Sequence, residues 1–256
     1  MPNTALITGA SAGIGRAFAT YHARKGGDLI ITARRAEELD ALKAELEKDH
    51  EVSVTTVPLD LGAGGGAQKL YDAINGQRID ILINNAGFGG HGKFIERDLD
   101  TDLTMIDLNV KALVSLCHMI GRDMAAQGGG KILNVSSTAA SMPGPLQATY
   151  FATKAYVSSF SLALADELKD KKVTVTVLEP GFVETEFAAV ADLEGIPLTS
   201  SGGATPAAVA KFGYDAMRRG ELLVINDTKL RFLTGWVMPF LPRKMLLGMV
   251  RKMQTK

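Results

Sequence analysis

Thr4-Ala5-Leu6-Ile7-Thr8-Gly9-Ala10-Ser11-Ala12-Gly13-Ile14-Gly15 decides the reading of this chain. Residues 4–8 are apolar or β-branched without polar alternation, as expected of a strand covered on both faces of a parallel sheet. Gly9, Gly13 and Gly15 then allow a sharp turn and close approach of a ligand to the backbone. A helical segment follows. Its N-terminus offers unpaired N–H groups and the positive end of a dipole, which suit a pyrophosphate. Ser11, Ala12 and Ile14 lie in the same turn and are expected to touch that group. The spacing is G-x-x-x-G-x-G, not G-x-G-x-x-G, and a plain tight turn of small residues would share its composition. Its place between strand and helix favours a dinucleotide site.

Working outward, β-rich runs recur at 4–8, 29–33, 52–57, 79–83, 131–135, 173–178 and 221–225. Helical periodicity fills the gaps. Leu39, Leu42 and Leu46 repeat at three and four, and a longer stripe runs from Leu103 through Ile106, Val110, Val114, Cys117 and Ile120 to Met124. Phe151, Ala155, Phe160, Leu164 and Leu168 mark another helix, and Thr205-Pro206 reads as the cap and first residue of one more. This alternation predicts an α/β fold: a doubly wound, mostly parallel seven-stranded sheet with helices on both faces. No domain boundary is visible, so residues 1–256 read as one domain with a lid at about 186–206 and an extension at about 228–256.

The 256 residues carry 28 Lys/Arg and 28 Asp/Glu, so the net charge is zero and a nucleic-acid-binding body is not expected. One cysteine, Cys117, excludes an internal disulfide framework and suits a reducing compartment. A strand beginning at Thr4 leaves no room for a signal peptide, and the apolar stretch Phe232–Leu241 is short of the roughly 20 residues that span a bilayer. A soluble cytoplasmic protein is the expectation.

The second strand bears on the choice of dinucleotide. An acid near its end would bind the ribose 2′-OH of NAD, whereas arginine suits the 2′-phosphate of NADP. Here Ala33 stands where the acid is expected, followed by Arg34 and Arg35. NADP(H) is preferred, with NAD(H) as the alternative. Asp60, with Leu61 beside it, follows the third strand and could meet the adenine. Asn84-Asn85-Ala86-Gly87 closes the fourth strand at the carboxyl edge, where such sheets bind ligands.

Tyr150 and Lys154 are four apart at the start of a helix and share one face. An ammonium there would stabilise a phenolate and lower its pKa from about 10, making a general acid/base. Alone, Y-x-x-x-K is a common spacing. Ser137 ends the fifth strand at the same edge, while Ser136 should point the other way. Asn109 is polar within an apolar helical stretch, and its functional reading is a water link towards Lys154.

Together these motifs resemble the short-chain dehydrogenase/reductase family over most of the chain, from Thr8 to about residue 190. Thr8, Gly9, Gly13 and Gly15 match its T-G-x-x-x-G-x-G, and Asn84-Asn85-Ala86-Gly87 its N-N-A-G. Asn109, Ser137, Tyr150 and Lys154 match the catalytic tetrad. Pro180, Gly181 and Thr185, with Val183 between them, match the segment that holds the nicotinamide. The resemblance implies hydride transfer between NADP(H) and a carbonyl or secondary alcohol. Tyr150 would act as acid or base, Lys154 as ribose ligand, Ser137 as the group polarising the oxygen, and Asn109 as anchor of a relay water. It also implies a homodimer or homotetramer built on the helices carrying Asn109 and Tyr150.

Phe88, Met142, Leu146, Phe182 and Phe187 are the expected substrate neighbours beside Ser137 and Tyr150, and they suggest an apolar substrate. His91 and Glu184 read as exposed loop. The last 39 residues carry nine Lys/Arg against two Asp/Glu, a net +7 balanced by −7 elsewhere. With Phe232, Trp236, Phe240 and four methionines, this tail suits a lid, a partner surface or a membrane-surface contact. The four histidines are scattered, and no metal site is expected. The alternative reading of the whole is a cofactor-binding regulator or peripheral membrane protein without turnover.

Overall fold

The computed structural model describes residues 3–74, 76–197 and 202–255. Seven strands, β1 (Ala5–Thr8), β2 (Leu29–Ala33), β3 (Val54–Pro58), β4 (Ile81–Asn84), β5 (Gly130–Val135), β6 (Val173–Leu178) and β7 (Leu223–Val224), form one sheet. Their order is β3-β2-β1-β4-β5-β6-β7, and every pairing is parallel. The apolar runs therefore became strands close to their expected bounds. The last is the exception, since only Leu223 and Val224 pair with β6.

Two helical layers cover the sheet. Phe18 and Ala19 of α1 (Gly13–Ala23), Leu39, Leu42 and Leu46 of α2 (Ala36–His50), and Val209, Ala210 and Met217 of an Ala-rich helix at Pro206–Arg219 bury one face against Ile7, Ile31 and Ile83. On the other face, Leu70 of α3 (Gly66–Ala73) and the Leu113–Met124 stripe pack on Leu6, Leu82 and Ile132. That stripe belongs to α5 (Leu113–Ala126), which continues α4 (Leu99–Ile106) through a π turn at Asp107–Ala112. By length and composition Leu99–Ala126 could cross a membrane, but Leu116, Cys117, Ile120 and Met124 are fully buried against the sheet. α6 (Ala148–Glu167) lies beside it, with Val157 in the same core. Thr205 caps the Pro206–Arg219 helix by accepting a bond from the Ala208 N–H, as its Thr-Pro start predicts.

The order of strands reverses between β1 and β4. Their carboxyl ends thus open a crevice, the place where sheets of this topology take ligands. After β6 the chain crosses that crevice through a short helix, α7 (Phe187–Val190), and reaches the Pro206–Arg219 helix, now α8. Residues 198–201 of the expected lid lie outside the described residues. The tail forms α9 (Thr228–Phe232), a π turn (Leu233–Val237), a 3-10 turn (Met238–Phe240) and α10 (Arg243–Gln254). Met238, Leu246 and Val250 pack on Ala139 and Phe151, with Met142, Tyr150, Leu233 and Leu241 around them.

Candidate active site

The glycine turn is built as its sequence suggests. Gly9 has φ +68°, and a Cβ on it would lie 2.9 Å from the Ala86 Cα; a Cβ on Gly15 would collide with the Gly9 carbonyl oxygen. Bulk is therefore excluded where β1 leads into α1, and the chain comes within contact of the loop after β4. Thr8 and Asn85 hold the two loops together. The Thr8 hydroxyl accepts from the N–H groups of Asn85 and Ala86, both at 3.0 Å, and Asn85 Nδ2 donates to the Thr8 and Gly9 carbonyls at 3.0 and 3.3 Å. The Asn85 side chain thus braces the turn. No side chain caps α1, so its first N–H groups keep the capacity to bind an anion.

Of the two arginines, Arg35 reaches this turn. Its guanidinium donates to Ser11 Oγ at 3.2 and 3.3 Å and pairs with Glu186 at 3.0 Å. Arg34 instead lines a neighbouring cavity of about 330 Å³ with Phe88, Arg97, Thr104 and Val190. Asp60 bends the chain after β3, its Oδ1 accepting from the Gly62 N–H at 2.9 Å, and Leu61 is buried in the core. Bare N–H groups, a turn closed to Cβ atoms and a guanidinium above it together fit a phosphorylated dinucleotide.

At the next strand end, Ser137 accepts from the Ala139 N–H at 3.1 Å and donates to the Pro180 carbonyl at 3.5 Å, its hydroxyl on the Tyr150 side. Ser136 turns away as alternation requires, bonding the Lys154 carbonyl at 2.9 Å and Ser158 at 2.8 Å. The Ser158 hydroxyl donates in turn to the buried carboxyl of Glu179 at 2.7 Å. Lys154 is buried and its Nζ donates to the Val135 carbonyl at 2.9 Å, 5.8 Å from the Tyr150 ring centre. Tyr150, Ser137 and Lys154 therefore converge at the carboxyl edge of β5.

One expectation needs correction here. The Tyr150 phenol is pushed up to about 12 by burial, with the nearby Ser137 hydroxyl pulling the other way. In this structure desolvation outweighs any help from Lys154, whose own pKa burial lowers to about 8. The Asn109 side chain has the partners that a buried amide needs. Its Oδ1 accepts from the Phe88 N–H at 3.1 Å, and its Nδ2 donates to the Phe88 carbonyl at 2.9 Å and Thr153 Oγ1 at 3.1 Å. It braces the loop after β4, and its Oδ1 and the Lys154 Nζ both lie beside Gly87, 2.9 and 3.6 Å from where a Cβ there would stand. The π turn that carries it, a form common at functional sites, was not foreseen.

The segment after β6 lies over these groups. Pro180 accepts from the Thr138 N–H at 3.0 Å, and Leu230 rests on Gly181, within 2.6 Å of where a Cβ would stand. Val183 is buried, and the Thr185 methyl packs 3.1 Å from a Cβ position on Gly13. The Phe187 ring tilts onto Tyr150 with centroids 5.4 Å apart. Met142 packs beside Tyr150, whereas Phe182 turns towards Gly203. Leu146 has φ +70°, a strained value for a side-chain-bearing residue, and its carbonyl accepts from the Gly92 N–H at 2.8 Å. His91 is not simply exposed loop: its Nε2 lies 2.6 Å from the Gln254 carbonyl, and Gln147 Nε2 donates to the Gln254 side chain at 2.5 Å. Sequence reasoning missed this clasp of the tail, since nothing local to His91, Gln147 or Gln254 marks it. It also missed Arg97, whose guanidinium donates to the buried Asp102 and to the His91 carbonyl.

A doubly wound parallel sheet with this turn at its switch point defines a dinucleotide-binding α/β protein. The short chain dehydrogenase family model matches residues 3–194, and the chain belongs to that family of oxidoreductases. It is 33% identical over 234 residues to the NADP-dependent 3-hydroxy acid dehydrogenase of Schizosaccharomyces pombe, covering 88% of this chain and 90% of that one. A short-chain dehydrogenase from Sphingobium yanoikuyae in complex with NADPH superposes with a TM-score of 0.83 at 30% identity, covering 95% and 97% of the two chains. A 7beta-hydroxysteroid dehydrogenase superposes with a TM-score of 0.88 at 25% identity over 97% and 96%.

Proposed function

We propose that this protein is an NADP(H)-dependent enzyme interconverting a bulky apolar ketone and its secondary alcohol, with Tyr150 as the acid/base. The observation that carries the reading is the convergence of Tyr150, Ser137 and buried Lys154, whose Nζ lies 5.8 Å from the Tyr150 ring centre, at the carboxyl edge where β1 and β4 part. The turn from Gly9 to Gly15 would take the pyrophosphate on the N–H groups of Ser11, Ala12, Gly13, Ile14 and Gly15. Arg35, with Arg34, would take the 2′-phosphate. Asp60 and Leu61 would flank the adenine, and Asn85, Ala86 and Gly87 the central ribose. Lys154, Pro180, Gly181, Val183 and Thr185 would hold the nicotinamide end. When bound, NADP(H) supplies or accepts the hydride. Ser137 orients the substrate oxygen, and Tyr150 gives it a proton in reduction or takes one in oxidation. Near pKa 12 the phenol stays protonated at neutral pH, so the free enzyme is poised for reduction.

The apolar side chains near Tyr150 support the substrate class. Phe187 lies on the Tyr150 ring, and Tyr150 and Met142 pack against the buried apolar cluster of Phe151, Met238, Leu246 and Val250. Arg97 at the rim already spends its guanidinium on Asp102 and the His91 carbonyl, leaving it ill-suited to a substrate carboxylate. A steroid-sized ketone should therefore be reduced with a kcat/KM at least about tenfold above that of a short 3-oxo acid. NADPH consumption in the presence of each reads the ratio. Preference for the acid overturns the substrate class, and absence of NADPH consumption with every carbonyl tested overturns the reading itself.

The cofactor assignment has its own test. Arg35→Ala should weaken NADPH binding by roughly 10–100-fold, the worth of a charged hydrogen bond, and leave NADH binding unchanged. Titration with each nucleotide measures this, and an equal loss for both would remove Arg35 from the 2′-phosphate site. Exposed Phe94, Ile95, Leu99 and Leu103, on and before α4, supply the apolar surface for a homo-oligomer. Buried Cys117, whose thiol burial pushes up to about 12, fits a reducing, cytoplasmic setting.

A further inference from the structure

The helical stretch from Thr228 to Phe240 has two opposed faces. Thr234 and Met238 point inward, each 6% exposed, and Leu230 sits on Gly181. Phe232, Trp236 and Phe240, again four apart, point outward and are 63%, 72% and 80% exposed. The pattern continues in α10. Leu246, Val250 and Gln254 are buried, while Met245, Met249 and Met253 form an exposed stripe beside them. Single exposed apolar residues are ordinary, but aligned aromatic and methionine rows mark a contact surface.

Charge says what the surface meets. Residues 228–256 contain seven Lys/Arg and no Asp/Glu. Among the described residues, Lys229, Arg231, Arg243, Lys244, Arg251 and Lys252 are exposed, and none of them forms an ion pair. A symmetric contact between two copies of this edge would set cations against cations. A layer of anionic lipid satisfies both features, because aromatic side chains settle at the headgroup level and cations are drawn to the negative surface. We infer that the Phe232/Trp236/Phe240 edge docks this protein onto an anionic bilayer surface. The inward face of the same stretch rests on Gly181 and on the cluster around Tyr150, so docking sets one wall of the candidate active site against the lipid.

Trp236 is the single tryptophan of the chain, so its fluorescence reports this edge alone. Full-length protein is mixed with phosphatidylcholine vesicles containing about 30 mol% phosphatidylserine, or with pure phosphatidylcholine vesicles. The expected result is a blue shift on the anionic vesicles, quenching by brominated lipid, and affinity on the order of a hundredfold above that for neutral vesicles at low salt. The triple variant Phe232→Ser, Trp236→Ser, Phe240→Ser should stay in the supernatant on vesicle sedimentation while still binding NADPH. Unshifted emission and no sedimentation with either vesicle overturn the inference. So does equal binding to neutral vesicles, or a blue shift that grows with protein concentration without lipid, which would mark a face between copies. NADPH titration of the same samples keeps this outcome separate from that of the oxidoreductase reading.

Discussion

Tyr150→Phe is expected to lower kcat for ketone reduction by about 10²–10⁴-fold, the usual worth of a positioned acid, while NADPH binds as before. The variant removes one oxygen and keeps the ring, whose contacts with Phe187 and Phe151 at 5.4 and 6.1 Å hold the surrounding wall. In the proposed reading the phenol hands this proton to the substrate oxygen, while the neighbouring Lys154 ammonium is held by the Val135 carbonyl. Ser137, which the proposed reading gives the task of orienting that oxygen, is as an alcohol a far weaker acid than a phenol. Single-turnover reduction with bound NADPH isolates the chemical step from product release. Retained single-turnover rate in Tyr150→Phe would reassign the acid and with it the mechanism.

Lys154→Met is expected to cost turnover on a similar scale and to make the protein more stable at pH 7. Lys154 is 6% exposed and holds its charge with one carbonyl partner, that of Val135, so burial drives its pKa from 10.5 to about 8. Methionine keeps the length of the stem without the desolvated charge. Even with the Val135 carbonyl losing its donor, the gain should be about 1 kcal/mol, or about 2–4 °C in Tm. The pH dependence has a definite sign. Between about 8 and 10.5 the unfolded chain binds more protons at this position than the folded one, so the wild-type chain gains stability as pH rises through that window. The Tm advantage of Lys154→Met must therefore be full below pH 8 and shrink above it. A constant advantage across that range would show that the lysine is not carrying a buried charge.

Much of the site was legible because its signals are local. The strand 4–8, the glycines after it and the Tyr150/Lys154 spacing each express backbone or helix geometry within a few residues. So does the turning away of Ser136. The arginine doublet was legible as a pair, but periodicity cannot tell which side chain swings over the turn; Ser11 and Glu186, the latter 151 residues distant, hold Arg35 there. Asn109 was legible as a polar residue needing partners, yet those partners come from the loop at Phe88 and from Thr153, far along the chain. The clasp of His91 and Gln147 on Gln254 has no local trace at all.

By itself the sequence determined the parallel sheet, the tight glycine turn after its first strand and the residue types that meet at its edge. Runs of β-branched residues, glycines at fixed offsets and helical spacing act over distances that the chain sets locally. Only the tertiary structure decided the direction in which burial shifts the pKa of Tyr150 and Lys154, the loop partners of Asn109, and the splitting of the tail into an inward wall and an outward aromatic edge. Each of these depends on how much water, and which distant group, the folded chain leaves beside a side chain, and no spacing along the backbone encodes that.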